Sequence, residues 1–222
     1  MKYKYLDEQI KDYLINHIKQ SIINDVGGAF PGWSSQLQNK GVASGFFAVP
    51  RMLFPEIDGL GSYITGNPKS TGLNIKTYLA EVLSKVNPKY KVYASFIVFI
   101  YRHGLLHQHD PKRFKYKNKE IGWEFWISNP NNPIDVNRKH HLEFRNKNVL
   151  VIDANVFYDD LINSIDDFTK DVLSKYKVTF EKSRKLQIKP LTKSYLLKEA
   201  RKNKKSKNRY VWESDFNFLD NI

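Results

Sequence analysis

The chain has 222 residues, 41% hydrophobic and 27% charged, with 36 Lys and Arg against 23 Asp and Glu and a formal charge of +13. That length suits one globular unit with an appendage, or two small units at most. With no cysteine it excludes disulfides, thiolate zinc sites and thiol nucleophiles; its longest nearly unbroken apolar run, Val92 to Tyr101, is about half a bilayer crossing, and its basic, Tyr-containing start lacks a signal peptide's apolar core, so a cytoplasmic protein without a membrane partner is expected.

From Leu6 to about Ile23, the residues Leu6, Ile10, Leu14, Ile18 and Ile22 fall at the helical period, and the Gly27-Gly28 and Pro31-Gly32 pairs stop it. Ser44 to Gly66 is punctuated by Pro50, Pro55, Gly59 and Gly61, which predicts a helix kinked or restarted at Pro50. Two more helices are expected, from about Leu73 to Lys85 and from Pro88 to Leu106. Pro88 then stands in a first turn, where its missing donor costs nothing. Val92 to Tyr101 is apolar on all sides and reads as a buried helix, with a buried strand as the competing form.

After Pro111 the pattern changes. Ile121–Ser128, His141–Asn146 and Val149–Asp153 read as two or three short strands. Among Trp123, Phe125 and Trp126, alternation assigns most to the core, although aromatic rings there also suit stacking on unpaired bases. His140-His141, after Arg138-Lys139, is expected in an exposed turn, with a basic hairpin face contacting RNA as the functional alternative. Val149–Phe157 has the look of a PIN-type nuclease strand with Asp153 on magnesium. Too little chain follows for that fold, and an edge strand ending in a helix cap at Asp153 or Asn155 is the better expectation. Phe157, Leu161, Ile165, Phe168, Val172 and Tyr176 then define an amphipathic helix, with Asp159, Asp160, Asp166, Asp167 and Asp171 off its stripe.

The positive charge is concentrated. Residues 182–209 contain twelve basic side chains and one acid, a net of +11, which leaves only +2 for the other 194 residues. The simplest reading is a solvated, self-repelling arm. Such an arm also suits phosphate backbones, through counterion release that is blind to sequence. Lys202, Lys204 and Lys205 are its candidate nucleic-acid contacts.

A second basic cluster carries the chemistry. His103, His107 and His109 lie in YRHGLLHQHD, followed by Pro111 and by Lys112, Arg113, Lys115, Lys117 and Lys119. A ribonuclease that works without a metal needs a base for the 2′-hydroxyl proton, an acid for the leaving oxygen and fixed positive charge at the phosphorane. Imidazole serves as either acid or base near neutrality. Arg102 and His107, five apart, point about 140° away from each other on an ideal helix. They share a pocket only if Gly104 loosens the turn or a second chain supplies the complementary group, which favours a dimer.

Arg102-His103-Gly104-Leu105-Leu106-His107 resembles the Arg-x4-His motif of HEPN domains. Gly104, Leu105, His107, Gln108, Pro111 and Lys112 are similar to a sequence found in bacterial HEPN-like proteins ahead of a β-hairpin insertion and a final helix. The resemblance covers roughly residues 1–180 in element order but about a dozen residues in motif. It implies a mainly α, HEPN-like bundle over 1–180 with a β-hairpin insertion at about 120–153, followed by a flexible basic arm over 181–222. It implies a metal-independent endoribonuclease without cofactors, working as a homodimer on RNA in a toxin-antitoxin or antiphage-defence setting with a possible partner protein or antitoxin. His107 would transfer the proton, Arg102 would clamp the phosphate, and His103 would orient either; Lys112, Arg113 and Lys115 would bind the nucleic acid. Inactive relatives leave a second expectation, a non-catalytic binding or dimerisation protein. His103 and His107 also have the i, i+4 spacing of a helical metal pair, with His109 and Asp110 as further donors. The lack of a Glu inside the pair and of a second carboxylate set nearby argues against a metal nuclease.

Overall fold

Helices form where apolar residues recur every three or four positions, and the computed structural model, which describes residues 2–28, 48–99, 114–116, 119–126 and 140–188, is mainly α with a small β insertion. The first helical run, α1 (2–27), is α-helical over Lys2–Lys11 and Gln20–Ile22 and wound more widely, as π turns, over Asp12–Lys19 and Ile23–Gly27. Ile10, Leu14, Ile22 and Val26 are buried along it. Val26 prolongs the stripe, so the helix passes the expected end at Ile23.

Helix α2 (Ala48–Thr65) carries Pro50 in its first turn, as the expected restart requires, and holds Pro55 within it on the exposed side. Helix α3 (71–86) comprises Thr71–Tyr78, Leu79–Leu83 and Ser84–Val86. The two helices approach so closely that a Cβ on Gly61 would stand 2.1 Å from the Asn74 carbonyl oxygen, so only glycine fits. Asn74, fully buried there, donates to Asp58 and to the Asn67 carbonyl, both at 3.0 Å, and accepts from Thr65 at 2.6 Å. The buried amide is therefore satisfied from both helices and their connection. Asp58, a charge in an apolar stretch, is explained as its acceptor.

Helix α4 (Lys89–Ile97) follows Pro88 and buries Tyr90, Ala94 and Ile97. Its opposite side is open: Val92 is 72% exposed, so this helix is one-sided rather than buried all round. The remainder of the helix expected to Leu106 lies outside the described residues beyond Phe99.

The insertion is richer than a single hairpin. Strands β1 (Phe114–Tyr116), β2 (Lys119–Trp126), β3 (Glu143–Arg145) and β4 (Val149–Asp153) form a sheet in the order β1-β2-β4-β3. The pairs β1–β2 and β3–β4 are antiparallel, whereas β2 and β4 run parallel, with Trp123 opposite Leu150 and Phe125 opposite Ile152. Two hairpins are thus joined along a parallel seam. Strand β4 sits between two neighbours and is not the expected edge strand, which explains its unbroken apolar run. Phe125 is buried and Trp123 packs on the core, as alternation predicts.

The last helical run, α5 (154–187), comprises Ala154–Asp171, Val172–Tyr176 and Lys177–Gln187, and packs on α1, α2, α3 and β4. Its stripe of Phe157, Leu161, Ile165, Phe168 and Val172 is buried. Phe180 and Ser183 are buried too, so the helix continues past residue 180 and carries the first basic residues of the arm, Lys182, Arg184 and Lys185. The chain divides after Arg184 into two units. Among the described residues no helix is long and apolar enough to cross a membrane.

Candidate nucleic-acid interface

Arg102, His103, His107, Lys112 and Arg113, and Lys202, Lys204 and Lys205 in the arm, lie outside the described residues. The structure describes the two sides of the Arg102–His107 segment: helix α4, which leads into it, and strand β1, which begins just after it. Of the sequence-predicted site residues only Lys115 is placed, exposed on β1 and opposite Glu120 of β2.

The start of α4 is tied to the insertion and to α5 by a buried polar relay. His141, 4% exposed, accepts the Asp153 backbone N–H on Nδ1 at 3.1 Å. Its proton therefore sits on Nε2, which faces the Tyr90 hydroxyl at 2.9 Å. Tyr90 in turn donates its hydroxyl hydrogen bond to Asp160 Oδ2, also at 2.9 Å. Burial, aided by the nearby Lys89 charge, pushes the His141 imidazolium down to about 3, and burial beside Asp160 pushes the Tyr90 phenol well up. Both groups are neutral at physiological pH. They fasten α4 and are unsuited to shuttling protons. His141 is thus buried, against the expectation of an exposed turn. The neighbouring His140 is exposed and pairs through Nδ1 with Glu143 at 2.9 Å; Lys89 reaches the other Glu143 oxygen at the same distance. Asp153 caps α5 by accepting from Val156 N at 3.0 Å, the expected helix cap and a role that accounts for its acid without magnesium.

At the other end of the sheet a groove of about 430 Å³ opens, lined among the described residues by Glu120, Gly122, Trp123, Asn148 and Val149. Gly122 leaves it open: a Cβ there would find Val149 Cγ2 at 3.9 Å as its nearest neighbour. A glycine within a strand costs roughly 0.5–1 kcal/mol relative to alanine, and here no crowding demands it. The β3–β4 turn borders the groove. Asn146 and Lys147 adopt φ of 52° and 65°, and Asn148 N bonds the Arg145 carbonyl at 3.3 Å, a tight turn of the kind that prefers Asn-Gly. Lys147 holds a left-handed conformation that costs a side-chain-bearing residue roughly 1 kcal/mol, and it leaves its ammonium exposed. Arg145 is engaged with Glu124 and is not a spare cation.

Sequence reasoning put a base-stacking option on Trp123 but missed Gly122, Lys147 and Asn148 as groove residues. The available signal was the glycine inside IGWEFW and an Asn-Lys turn where Asn-Gly is commoner. No protein-family model matches the sequence, and no curated protein or solved structure matches it either.

Proposed function

We propose that the chain is a metal-independent endoribonuclease of HEPN type that acts on cellular RNA as a toxin or defence component, with Arg102 and His107 at its centre and His103 orienting them. The observation that carries this reading is the position of the Arg102-x4-His107 sequence: it follows helix α4 of a mainly helical unit and precedes a β insertion and a closing helix. That order is the one the resemblance implies. In the reaction, neutral His107 removes the 2′-hydroxyl proton, the 2′-oxygen attacks phosphorus, and the P–O5′ bond breaks as the imidazolium so formed returns a proton to the leaving oxygen. The products are a 2′,3′-cyclic phosphate and a 5′-hydroxyl. The Arg102 guanidinium neutralises the phosphorane. No electron changes hands and no external co-reactant is consumed.

A second reading, a non-catalytic nucleic-acid-binding or dimerisation protein, is favoured by the concentration of +11 net charge in residues 182–209. Incubating the purified chain with RNA in EDTA separates the two. Cleavage that persists without metal, with cyclic phosphate ends, and that falls by about 10²–10⁴-fold in both Arg102→Ala and His107→Ala supports the enzyme. Salt-sensitive binding without cleavage supports the binder.

A further inference from the structure

We infer that Leu142, Glu143 and Phe144 are positioning residues for the reaction proposed above: the corner that opens β3 grips helix α4 and so sets where the Arg102–His107 segment stands. This rests on the ribonuclease reading and names the part of the molecule that controls that same site.

The contacts run along one side of α4. Glu143 takes the Lys89 ammonium at 2.9 Å, and Phe144 meets the Tyr93 ring edge-on at 5.7 Å between centroids and the Phe96 ring at 6.2 Å. Lys89, Tyr93 and Phe96 are spaced i, i+4 and i+7, so these contacts follow a single helical face over two turns. Beside them Tyr90 makes its buried bond to His141 at 2.9 Å. Within the stretch 141–144, every residue but Leu142 reaches α4 through a printed bond or ring contact of its own.

Leu142 makes that possible. It is fully buried yet holds a φ of 57°, a left-handed conformation that crowds a leucine's Cβ and that glycine adopts freely. Such strain persists only where the surroundings over-determine it. Here Leu142 N bonds the Val151 carbonyl at 2.8 Å and Glu143 N bonds the His140 carbonyl at 3.0 Å, which fixes a sharp corner. In an extended strand, residues two apart share a face. The corner instead gives His141 a buried partner and Glu143 an exposed one on the same helix. Arg102 follows Phe99 by only three residues, a span that covalent geometry limits to about 11 Å. A tilt of α4 is carried into that span, and a displacement of about 1 Å at a reacting group can cost 10²-fold in rate.

The test uses the full chain and two readouts: hydrogen exchange by mass spectrometry on peptides covering 98–107, and RNA cleavage in EDTA at limiting and saturating RNA. Phe144 is 37% exposed, so Phe144→Ala removes its ring contacts without sealing a cavity. Phe144→Ala and Tyr90→Phe are each expected to speed exchange over 98–107 about tenfold, while peptides from α1 exchange as in the parent. Tyr13→Phe, which removes hydroxyl bonds to Tyr63 and Arg184 between α1, α2 and α5, is expected to lower Tm and leave 98–107 unchanged. Cleavage at saturating RNA is expected to fall roughly 10-fold to 10²-fold in Phe144→Ala with KM unchanged, and Phe144→Tyr, which keeps the ring, to restore it. Parent-like exchange over 98–107 in both folded variants overturns the inference, and so does raised exchange with undiminished cleavage. If the parent chain cleaves no RNA, the ribonuclease reading falls on its own, and the exchange data still decide whether the corner places the segment.

Discussion

His141 shows how little a residue type says about its role until burial is known. In the sequence it is one of two adjacent histidines in a polar stretch, and an imidazole there reads as a surface cation. In the structure the Tyr90 hydroxyl and the Asp153 backbone N–H consume its hydrogen-bonding capacity, and its site holds it neutral. An imidazole with a folded-state pKa of about 3 refuses a proton that the unfolded chain accepts near 6.5. The unfolded state therefore binds more protons between those values, and stability falls as pH drops through that window. Urea unfolding is expected to lose up to about 1.4 kcal/mol per pH unit well below 6.5. The decline should be shallower between pH 6 and 5 in His141→Asn, because few carboxylates titrate so high. A wild-type slope equal to that of the variant would remove His141 as the cause. Tyr90→Phe strands the His141 Nε2–H and takes a donor from Asp160. It is expected to cost about 1–3 kcal/mol in the same unfolding measurement, with no new cavity to account for it.

The helices were legible because their apolar positions repeat with a period that sterics enforce. Ile10, Leu14 and Ile22, or Phe157, Leu161, Ile165 and Phe168, have only one way to reach a common core. The sheet was legible in its strands and not in its pairing. Nothing in Ile121–Trp126 or Val149–Asp153 announces that they run parallel, because the partner of a strand is a long-range choice. Nor does Phe114–Tyr116 show the length or alternation by which a strand is recognised. The proposed chemistry was legible only as a motif, since convergence of two side chains is not written in their spacing. The join between sheet and last helix was readable to within two residues, with Asp153 or Asn155 as the cap: Asp153 ends a run of apolar β residues just before the 3.6 period begins, and it is its carboxylate that takes the Val156 N–H. Removing the cap in Asp153→Ala is expected to cost about 1–2 kcal/mol by chemical denaturation, and Asp153→Asn, which retains an acceptor oxygen, should recover part of it. Equal losses in the two variants would assign the effect to the buried carboxylate's charge instead of the cap.

The molecule as a whole combines a nearly neutral body, +2 outside residues 182–209, with a stretch of +11. On the ribonuclease reading proposed above, such a segment would supply sequence-blind phosphate affinity and leave the body to supply geometry. On an ideal helix Arg102 and His107 would point about 140° apart, whereas a phosphorane needs both within hydrogen-bonding reach. In the homodimer proposed above, two-fold symmetry would resolve this without bending a helix: Arg102 of one protomer and His107 of its partner would face the same phosphate, and the symmetry-related pair would form a second site. This composite arrangement predicts complementation between two dead variants. Arg102→Ala and His107→Ala homodimers each lack one member at both sites. A heterodimer of the two has one site with neither group and one with both intact. Mixing the variants at equal concentration and letting subunits exchange makes half of the dimers mixed, so cleavage should return to about one quarter of the wild-type rate in EDTA. The recovered rate should vary as the product of the two variants' fractions. A mixture as inactive as its components, with exchange verified by differently labelled subunits, would place both groups of a working site in one chain. The turn at Gly104 would then have to bring them together.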